Sequence, residues 1–157
     1  MADSPVDMFH LWKLKLEDMK NNRSEISVKE GQFMERFYRQ FHGATPSEDP
    51  ELFRDLSPFA IDSTYGTNER FLKDVAVRAY HDIDVSWRIK NRNQTARFDN
   101  YIATSELINR LNLMGNDKAE FIQTYQTGFR RNGERHPHSW SIIEAEECVE
   151  WLSGLMK

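Results

Sequence analysis

Cysteine is nearly absent from this chain, which has a single residue of this type among 157. One cysteine cannot form an intrachain disulfide, and it cannot supply the several thiolates of a cysteine-based zinc site. Cys148 lies within an apolar helical pattern, so we expect a small buried residue rather than a reactive nucleophile. The core must therefore hold the fold by itself, and the length of the chain is sufficient for one domain with a real core.

Long apolar segments and a strong net charge are missing too. No run approaches the roughly 18 consecutive apolar residues of a transmembrane helix, and the N-terminal sequence lacks the basic and apolar blocks of a signal peptide. We therefore expect a cytoplasmic protein with no membrane partner. The formal charge of -4 creates no overall basic field, so any contact with nucleic acid requires a local cluster of cations.

Aromatic residues are abundant, with ten Phe, five Tyr and four Trp, which argues against disorder. Apolar residues recur at steps of three and four, which is typical of amphipathic helices, and no stretch alternates with the period of two expected of a half-buried strand. The sequence predicts a single all-α domain over residues 1–157, a compact bundle of about six helices. We expect these helices at about residues 5–21, 27–42, 68–90, 100–114, 117–130 and 141–157. An irregular connection at about 44–67 contains a short helical piece at 51–56.

Two of the predicted helices carry apolar stripes that we expect to be buried. Phe33, Phe37 and Phe41 follow at four-residue steps, and core packing explains this stripe better than a ligand slot does. The last helix is expected to begin at Ser141, in a capping box with Glu144. Four of its residues are expected to face inward: Ala145, Cys148, Leu152 and Leu155.

A cluster of cations lies at the C-terminal end of the helix predicted at residues 68–90 and in the residues that follow it. Its members are Arg88, Lys90, Arg92 and Arg97. Cations at this position complement the C-terminal end of a helix, and we favour this interpretation. The alternative is a phosphate-contacting patch, but the cluster lacks closely interleaved aromatic residues that could stack on bases.

The segment FRRNGERHPHSWSIIEAEE, residues 129–147, concentrates residues that can carry chemistry. Arg131 and His136 stand five positions apart at the junction of two predicted helices. A guanidinium grips phosphate oxygens in a fixed fork, and an imidazole with a pKa of about 6.5 exchanges protons near neutral pH. Together they can cleave RNA without a metal, because the imidazole deprotonates a 2′-hydroxyl and the guanidinium stabilises the charge at phosphorus. Arg36 and His42 have a similar spacing, so the pattern becomes specific only with Asn132 directly after the arginine.

The residues RNGERHP, followed by SIIEAEECVEWLSGLM, resemble the C-terminal part of HEPN-superfamily domains, especially those of abortive-infection and toxin–antitoxin systems. The resemblance covers about the last 28 residues and implies an all-α homodimer that acts as a metal-independent endoribonuclease, as a toxin or defence effector. It implies that Arg131 and His136 are the catalytic pair and that Asn132 is the polar second residue of the motif. Asp82 and Asp84 are candidates for the acidic motif that the family carries on an earlier helix.

Neighbouring residues of the same segment leave alternatives open. His138 gives a second ending of the motif with longer spacing, and Arg130 and Arg135 are further candidate cations. We expect these three residues to bind substrate. His136 and His138 have no carboxylate or thiolate partner close in the sequence, so we predict no metal site and no cofactor.

A second similarity carries no mechanism. RAYHDIDVSW and HSWSIIEAEECVEWL are similar to segments of YfbU-like bacterial proteins, which implies a helical fold and a cytoplasmic location. The alternative to an enzyme is a non-enzymatic helical interaction module, such as an immunity, antitoxin or regulatory protein. The expected partners are therefore RNA and a second copy of the chain for the enzyme, or a cognate antitoxin or regulatory protein for the module.

Overall fold

A computed structural model describes residues 1–63 and 67–156 of the chain. The described residues form six helices and two strands, together with three short 3-10 turns. The helices are α1 (Met8–Lys20), α2 (Glu25–His42), α3 (Pro50–Leu56), α4 (Val85–Arg92), α5 (Tyr101–Leu113) and α6 (Ala145–Leu155), and the strands are β1 (Val77–Asp82) and β2 (Ala119–Thr124). The expected number of six helices is confirmed, but no helix forms at 117–130, and α3 occupies the short helical piece of the predicted connection. The protein is mostly helical rather than all-α. Residues 64–66 of the predicted irregular connection and residue 157 of the predicted last helix lie outside the described residues.

β1 and β2 form a parallel pair in which Val77 lies opposite Ala119. The chain passes from one strand to the other through α4 and α5, since parallel strands require a long crossover. Residues 1–3 run along the other edge of β1. The Tyr80 amide donates to the Met1 carbonyl at 2.8 Å, and the Asp3 amide donates to the Tyr80 carbonyl at 2.8 Å. These two bonds hold Asp3 beside the end of β1.

Both strands fall inside segments for which the sequence predicts helices, residues 68–90 and 117–130, and that prediction is wrong. Five of the six residues of β1 are buried, because one face of the strand packs on α5 and the other lies under α6. A strand that is covered on both faces shows no alternation of apolar and polar residues. Val75, Ala79 and Ile83 have the spacing of one helix face, which is one reason the sequence predicts a helix here. In the structure Val75 is an exposed loop residue, Ala79 a buried strand residue and Ile83 a loop residue, so the spacing is a coincidence.

The two faces of the sheet have different chemistry. Ala79 packs with Leu107 of α5 in the main apolar core. On the opposite face, the Tyr80 hydroxyl donates to Glu147 of α6 at 2.8 Å, and the Arg78 guanidinium lies 4.5 Å from the Trp151 ring centroid. A second apolar cluster joins α1, α2 and α3, and its buried members are Trp12, Tyr38 and Phe53.

The expected burial of the phenylalanine stripe on α2 is wrong for two of its three residues. Phe33 is 55% exposed and Phe41 is 64% exposed, whereas Phe37 is half-buried. The helix turns Gly31 and Tyr38 inward instead, and a Cβ at Gly31 would lie 2.6 Å from the Met19 Cβ of α1. The lack of a side chain at Gly31, rather than the phenylalanine stripe, determines which side of α2 faces α1.

The last helix also differs from its prediction. It begins at Ala145, and the Ser141 hydroxyl accepts from the Phe129 amide at 2.7 Å instead of capping the helix. No residue of α6 is fully buried; Cys148 is half-buried and Leu152 is exposed. The predicted inward stripe is wrong because α6 contacts the sheet through polar and aromatic side chains.

The sequence contains no apolar run long enough for a transmembrane helix, and the helices of the structure can be compared with that expectation. Among the described residues, no helix combines the length and the apolar character that crossing a membrane requires.

Candidate functional site at the carboxyl edge of the parallel strands

The segments that follow β1 and β2 meet at the carboxyl edge of the sheet, and Asp82 joins them. Its buried carboxylate accepts from the backbone amides of Gln126, Thr127 and Gly128, at 2.8, 3.1 and 2.6 Å. Three amide donors satisfy a buried charge that would otherwise be costly. Asp82, a candidate for an acidic motif, thus fixes the path of the chain that leaves β2.

Arg135 connects the same region to the start of α4. Its Nη2 lies 3.0 Å from both Asp82 Oδ2 and Asp84 Oδ2, and its Nη1 donates to the Gly128 carbonyl at 2.9 Å. Asp84 also caps α4 by accepting from the Trp87 amide at 2.9 Å. The guanidinium that was predicted to bind substrate is therefore engaged by protein carboxylates.

Residues 129–135 form a hairpin whose tip carries the Arg-Asn motif. Phe129 pairs with Arg135 in an antiparallel bridge, and Gly133 has a φ of 81°, a left-handed conformation that favours glycine. Asn132 accepts from the Glu134 amide at 3.0 Å, which stabilises the turn. Arg131 is exposed and forms no hydrogen bond or ion pair with another described residue.

His136 lies beneath the hairpin and is only 8% exposed. Its ring meets the Trp87 ring edge-on at 5.2 Å, and its Nε2 is 3.4 Å from Nη2 of Arg92, while Nδ1 has no partner. Burial, together with the positive charges of Arg130, His138 and Arg92, lowers the pKa of His136 to about 4. The imidazole is therefore neutral at pH 7 and a weak proton acceptor. No hydrogen bond joins it to Arg131 within the described residues.

His138 has a different environment, because its ring is oriented by a carboxylate. Nδ1 forms an ion-pair contact with Asp3, and Nε2 is 2.8 Å from Nη2 of Arg88. With its Nδ1–H donating to Asp3, the ring has the tautomer of a general base, and its Nε2 lone pair accepts from Arg88. The side chain of His138 is 29% exposed, so solvent and small molecules reach it.

Asp3 is held from a second direction by His81, whose Nδ1 lies 3.0 Å from Asp3 Oδ1. Burial alone would raise the pKa of Asp3, but the hydrogen bonds from His138 and His81 outweigh this effect and hold the pKa well below its usual range. Asp3 is therefore ionised at neutral pH. His81 is buried and stacks on Phe121 of β2 at 5.2 Å.

Arg88 brings a buried positive charge to this group. Its Nε donates to Asp99 Oδ2 at 2.8 Å, and its Nη1 donates to Gln94 Oε1 at 3.0 Å. Burial and the nearby charge of Asp3 raise the pKa of Asp99, although Arg88 opposes the shift. The sequence offered two roles for the cluster that contains Arg88: complementing the C-terminal end of a helix, or contacting phosphate in an exposed patch. Arg88 has neither role, because it is buried and paired with Asp99.

Three residues of this group could in principle hold a cation. Asp3, Asp99 and His138 each offer a ligand atom, and these atoms lie within 4.8 Å of one another. The Arg88 guanidinium already contacts both Asp99 and His138, so it supplies the positive charge that a metal ion would bring. The donor set fits an arginine better than a metal ion.

A cleft of about 190 Å³ opens beside His138. Leu11 and Lys15 of α1 line one wall, and Phe98 and Asn100 line another. Lys15 Nζ lies 2.6 Å from Glu30, which in turn is 3.4 Å from Arg92. Burial would raise the pKa of Glu30, but the charges of Lys15 and Arg92 lower it below its ordinary value. The cleft thus presents an oriented imidazole next to two cations, each of which is paired with a carboxylate: Lys15 with Glu30 and Arg88 with Asp99.

No protein-family model matches this chain, and neither a curated protein nor a solved structure matches it. The chemistry of the site is therefore inferred from its own residues.

Sequence reasoning found part of this site and missed the rest. It found His138 and the segment that carries it, because an imidazole-rich loop is visible locally. It missed Asp3 and the individual role of Arg88, which lie far away in the sequence. Asp3 lies just before the helix that was predicted to begin at about residue 5, and no motif marked it as part of a site.

Proposed function

We propose that the protein is a metal-independent endoribonuclease in which His138 is the general base. The observation that supports this role is the contact between His138 Nδ1 and the ionised Asp3 carboxylate, which orients the ring. A base held in this way has a defined tautomer and a stabilised imidazolium form. Arg88 and Lys15 are the cations closest to the cleft that could stabilise a phosphate ester.

In the proposed reaction, a 2′-hydroxyl of RNA replaces the Arg88 guanidinium at His138 Nε2 and transfers its proton there. The 2′-oxygen attacks the adjacent phosphorus, the bond from phosphorus to the 5′-oxygen breaks, and the imidazolium returns a proton to the leaving oxygen. Arg88, displaced from Nε2, and Lys15 stabilise the added negative charge on the phosphate oxygens. Asp3 remains ionised throughout and stabilises the imidazolium.

The Arg-Asn motif keeps a role in this proposal. The exposure of Arg131 at the hairpin tip supports contact with the RNA backbone more than a bond to His136. Membership of the HEPN superfamily, action as a toxin or defence effector and a homodimeric state are parts of the proposal that rest on the resemblance. The competing version assigns catalysis to the Arg131–His136 pair, and the same experiment separates the two.

The test is cleavage of a mixed RNA pool in the presence of EDTA by the wild type and four variants: His138→Ala, Asp3→Asn, His136→Ala and Arg131→Ala. We expect His138→Ala to lower the rate by about 100- to 10,000-fold, the usual contribution of a general base. Asp3→Asn should lower it and also change the pH–rate profile, because the amide cannot stabilise the imidazolium. The other two variants should lose no more than about tenfold, since neither side chain contacts the reacting atoms. Circular dichroism verifies that all variants fold.

Other results would change the assignment. If His138→Ala stays active and both His136→Ala and Arg131→Ala lose activity, the motif pair is catalytic and the role of His138 is refuted. A chromogenic phosphodiester and a chromogenic carboxylic ester are tested in parallel. If only the carboxylic ester is hydrolysed, and only when His138 is present, then His138 is the general base but RNA is the wrong substrate. Inactivity towards every substrate would favour a binding role.

A non-enzymatic interaction module is the second candidate, and the exposed face of α2 favours it. Ile26 is 50% exposed, and Phe33 and Phe41 are more exposed still. These residues lie on one side of the helix, and contiguous apolar surface of this kind marks protein interfaces. A second copy of the chain, a cognate antitoxin or a regulatory partner would cover the stripe. A YfbU-like role without catalysis belongs to the same alternative.

A further inference from the structure

A second and larger concave surface lies along α4 and shares no lining residue with the His138 cleft. This groove has a volume of about 540 Å³ and runs between α4 and the hairpin after β2. The α4 wall is formed chiefly by Trp87, Lys90 and Asn91, and the hairpin wall by Gln126, Phe129 and Arg135. The catalytic proposal uses none of these side chains.

The hairpin wall holds an exposed aromatic ring in a fixed position. Phe129 is 45% exposed although both of its backbone groups are bonded: its amide donates to Ser141 and its carbonyl accepts from the Ser139 hydroxyl. The Arg135 guanidinium lies 5.8 Å from the ring centroid and is itself anchored by Asp84 at 3.0 Å. A ring that is presented to solvent on a rigid backbone is a stacking platform that needs little reorganisation to bind.

The α4 wall supplies an unused positive charge. Lys90 is exposed, and its side chain forms no ion pair or hydrogen bond with another described residue. Asn91, next to it, donates to the Trp87 carbonyl at 2.8 Å, so its amide lies along the groove. A free ammonium across from a stacking ring matches the phosphate and the base of one nucleotide.

We infer that this groove binds single-stranded RNA, with a base stacked on Phe129 and a phosphate near Lys90. The inference rests on the proposed function in one respect, which is that the same strand continues to His138. The two sites lie close together in the fold, because the Trp87 ring of the groove is 5.2 Å from the buried His136 ring, which is 5.5 Å from the His138 ring. In this proposal the groove selects an unpaired strand, because only an unpaired base can stack on the Phe129 ring.

The experiment measures binding separately from cleavage. The first probe is a labelled single-stranded DNA of 12 nucleotides, which lacks the 2′-hydroxyl and therefore cannot be cleaved by the proposed chemistry. Its affinity is measured by fluorescence anisotropy. An RNA strand of the same sequence is measured with the His138→Ala variant, in which cleavage is blocked. Phe129→Ala should weaken binding by about 5- to 150-fold, the usual effect of removing a stacking ring. Lys90→Ala should reduce the slope of log affinity against log salt by about one.

The chain offers matched controls for both variants. Phe71 is 66% exposed and has a guanidinium, that of Arg70, 4.8 Å from its ring centroid, but it lies outside the groove. Phe71→Ala and Lys73→Ala should therefore leave the affinity unchanged. Equal losses in Phe129→Ala and Phe71→Ala would overturn the inference.

The remaining outcomes separate this inference from the catalytic proposal. Binding that depends on Phe129 in a protein that cleaves no RNA would uphold the groove and reject the catalytic role of His138. Cleavage that depends on His138 but not on Phe129 would uphold catalysis and reject the groove. Equal affinity for a duplex and for a single strand, or no binding of either, would also overturn the inference.

Discussion

Gly128→Ala is the sharpest test of how the sheet edge supports the site. A Cβ at this position would lie 2.5 Å from the His136 carbonyl oxygen, 2.9 Å from Asp82 Oδ2 and 3.0 Å from the Pro137 Cα. Two of these atoms belong to the backbone, and the third belongs to a carboxylate that holds three amides. The clash can be relieved only if the segment around Gly128 moves away from Asp82 and from residues 136–137.

The cost of that separation can be worked out from the contacts involved. Overpacking a tight site costs about 1–3 kcal/mol, and each hydrogen bond lost at the junction adds about 1 kcal/mol. The bonds at risk are those from the Gly128 amide to Asp82, at 2.6 Å, and from the His136 amide to the Gly128 carbonyl, at 2.9 Å. We therefore expect Gly128→Ala to lower the free energy of unfolding by about 3–5 kcal/mol.

Urea denaturation followed by circular dichroism measures this difference, and α6 provides a control of opposite sign. A Cβ at Gly154 meets nothing within 4 Å, so Gly154→Ala should stabilise the helix by about 0.5–1 kcal/mol. If the free energy of unfolding of Gly128→Ala is within about 0.5 kcal/mol of the wild type, the junction at Gly128 is not tight and this account of the sheet edge is refuted.

Two further predictions concern His136 and the α2 stripe. The pKa of His136 is about 4 in the folded protein and about 6.5 when unfolded, so the unfolded state binds the proton first and stability is lost as the pH falls from 6.5 to 4. After allowance for solvent screening, His136→Asn should reduce this loss by up to about 2 kcal/mol, measured by urea titrations at several pH values; equal pH dependence in both proteins would refute the shift. The paired change Phe33→Ser and Phe41→Ser should convert any dimer to monomer in light scattering, because both rings are more than half exposed. An unchanged dimer would exclude this face as the interface.

Local patterns predicted the elements whose stability is local. α5 is found at Tyr101–Leu113 against an expected 100–114, and α3 at Pro50–Leu56 against an expected 51–56. In these segments one side is apolar and the other polar, so spacing reveals the helix. The same reasoning failed for β1 and β2, whose neighbours cover both faces and remove the alternation that would identify a strand.

The candidate site, too, was predictable from the sequence only where its features are local. By itself, the sequence determined that residues 129–147 carry the cations and imidazoles, that a disulfide is excluded and that helices dominate. Only the tertiary structure decided which imidazole is oriented and which is buried. Asp3 and Arg88 reach His138 across 135 and 50 positions of the chain, and such contacts depend on the pairing of strands and the packing of helices. Spacing along a sequence reports neighbours on one element, whereas the pKa and the orientation of a side chain depend on charges and burial contributed by all the elements around it.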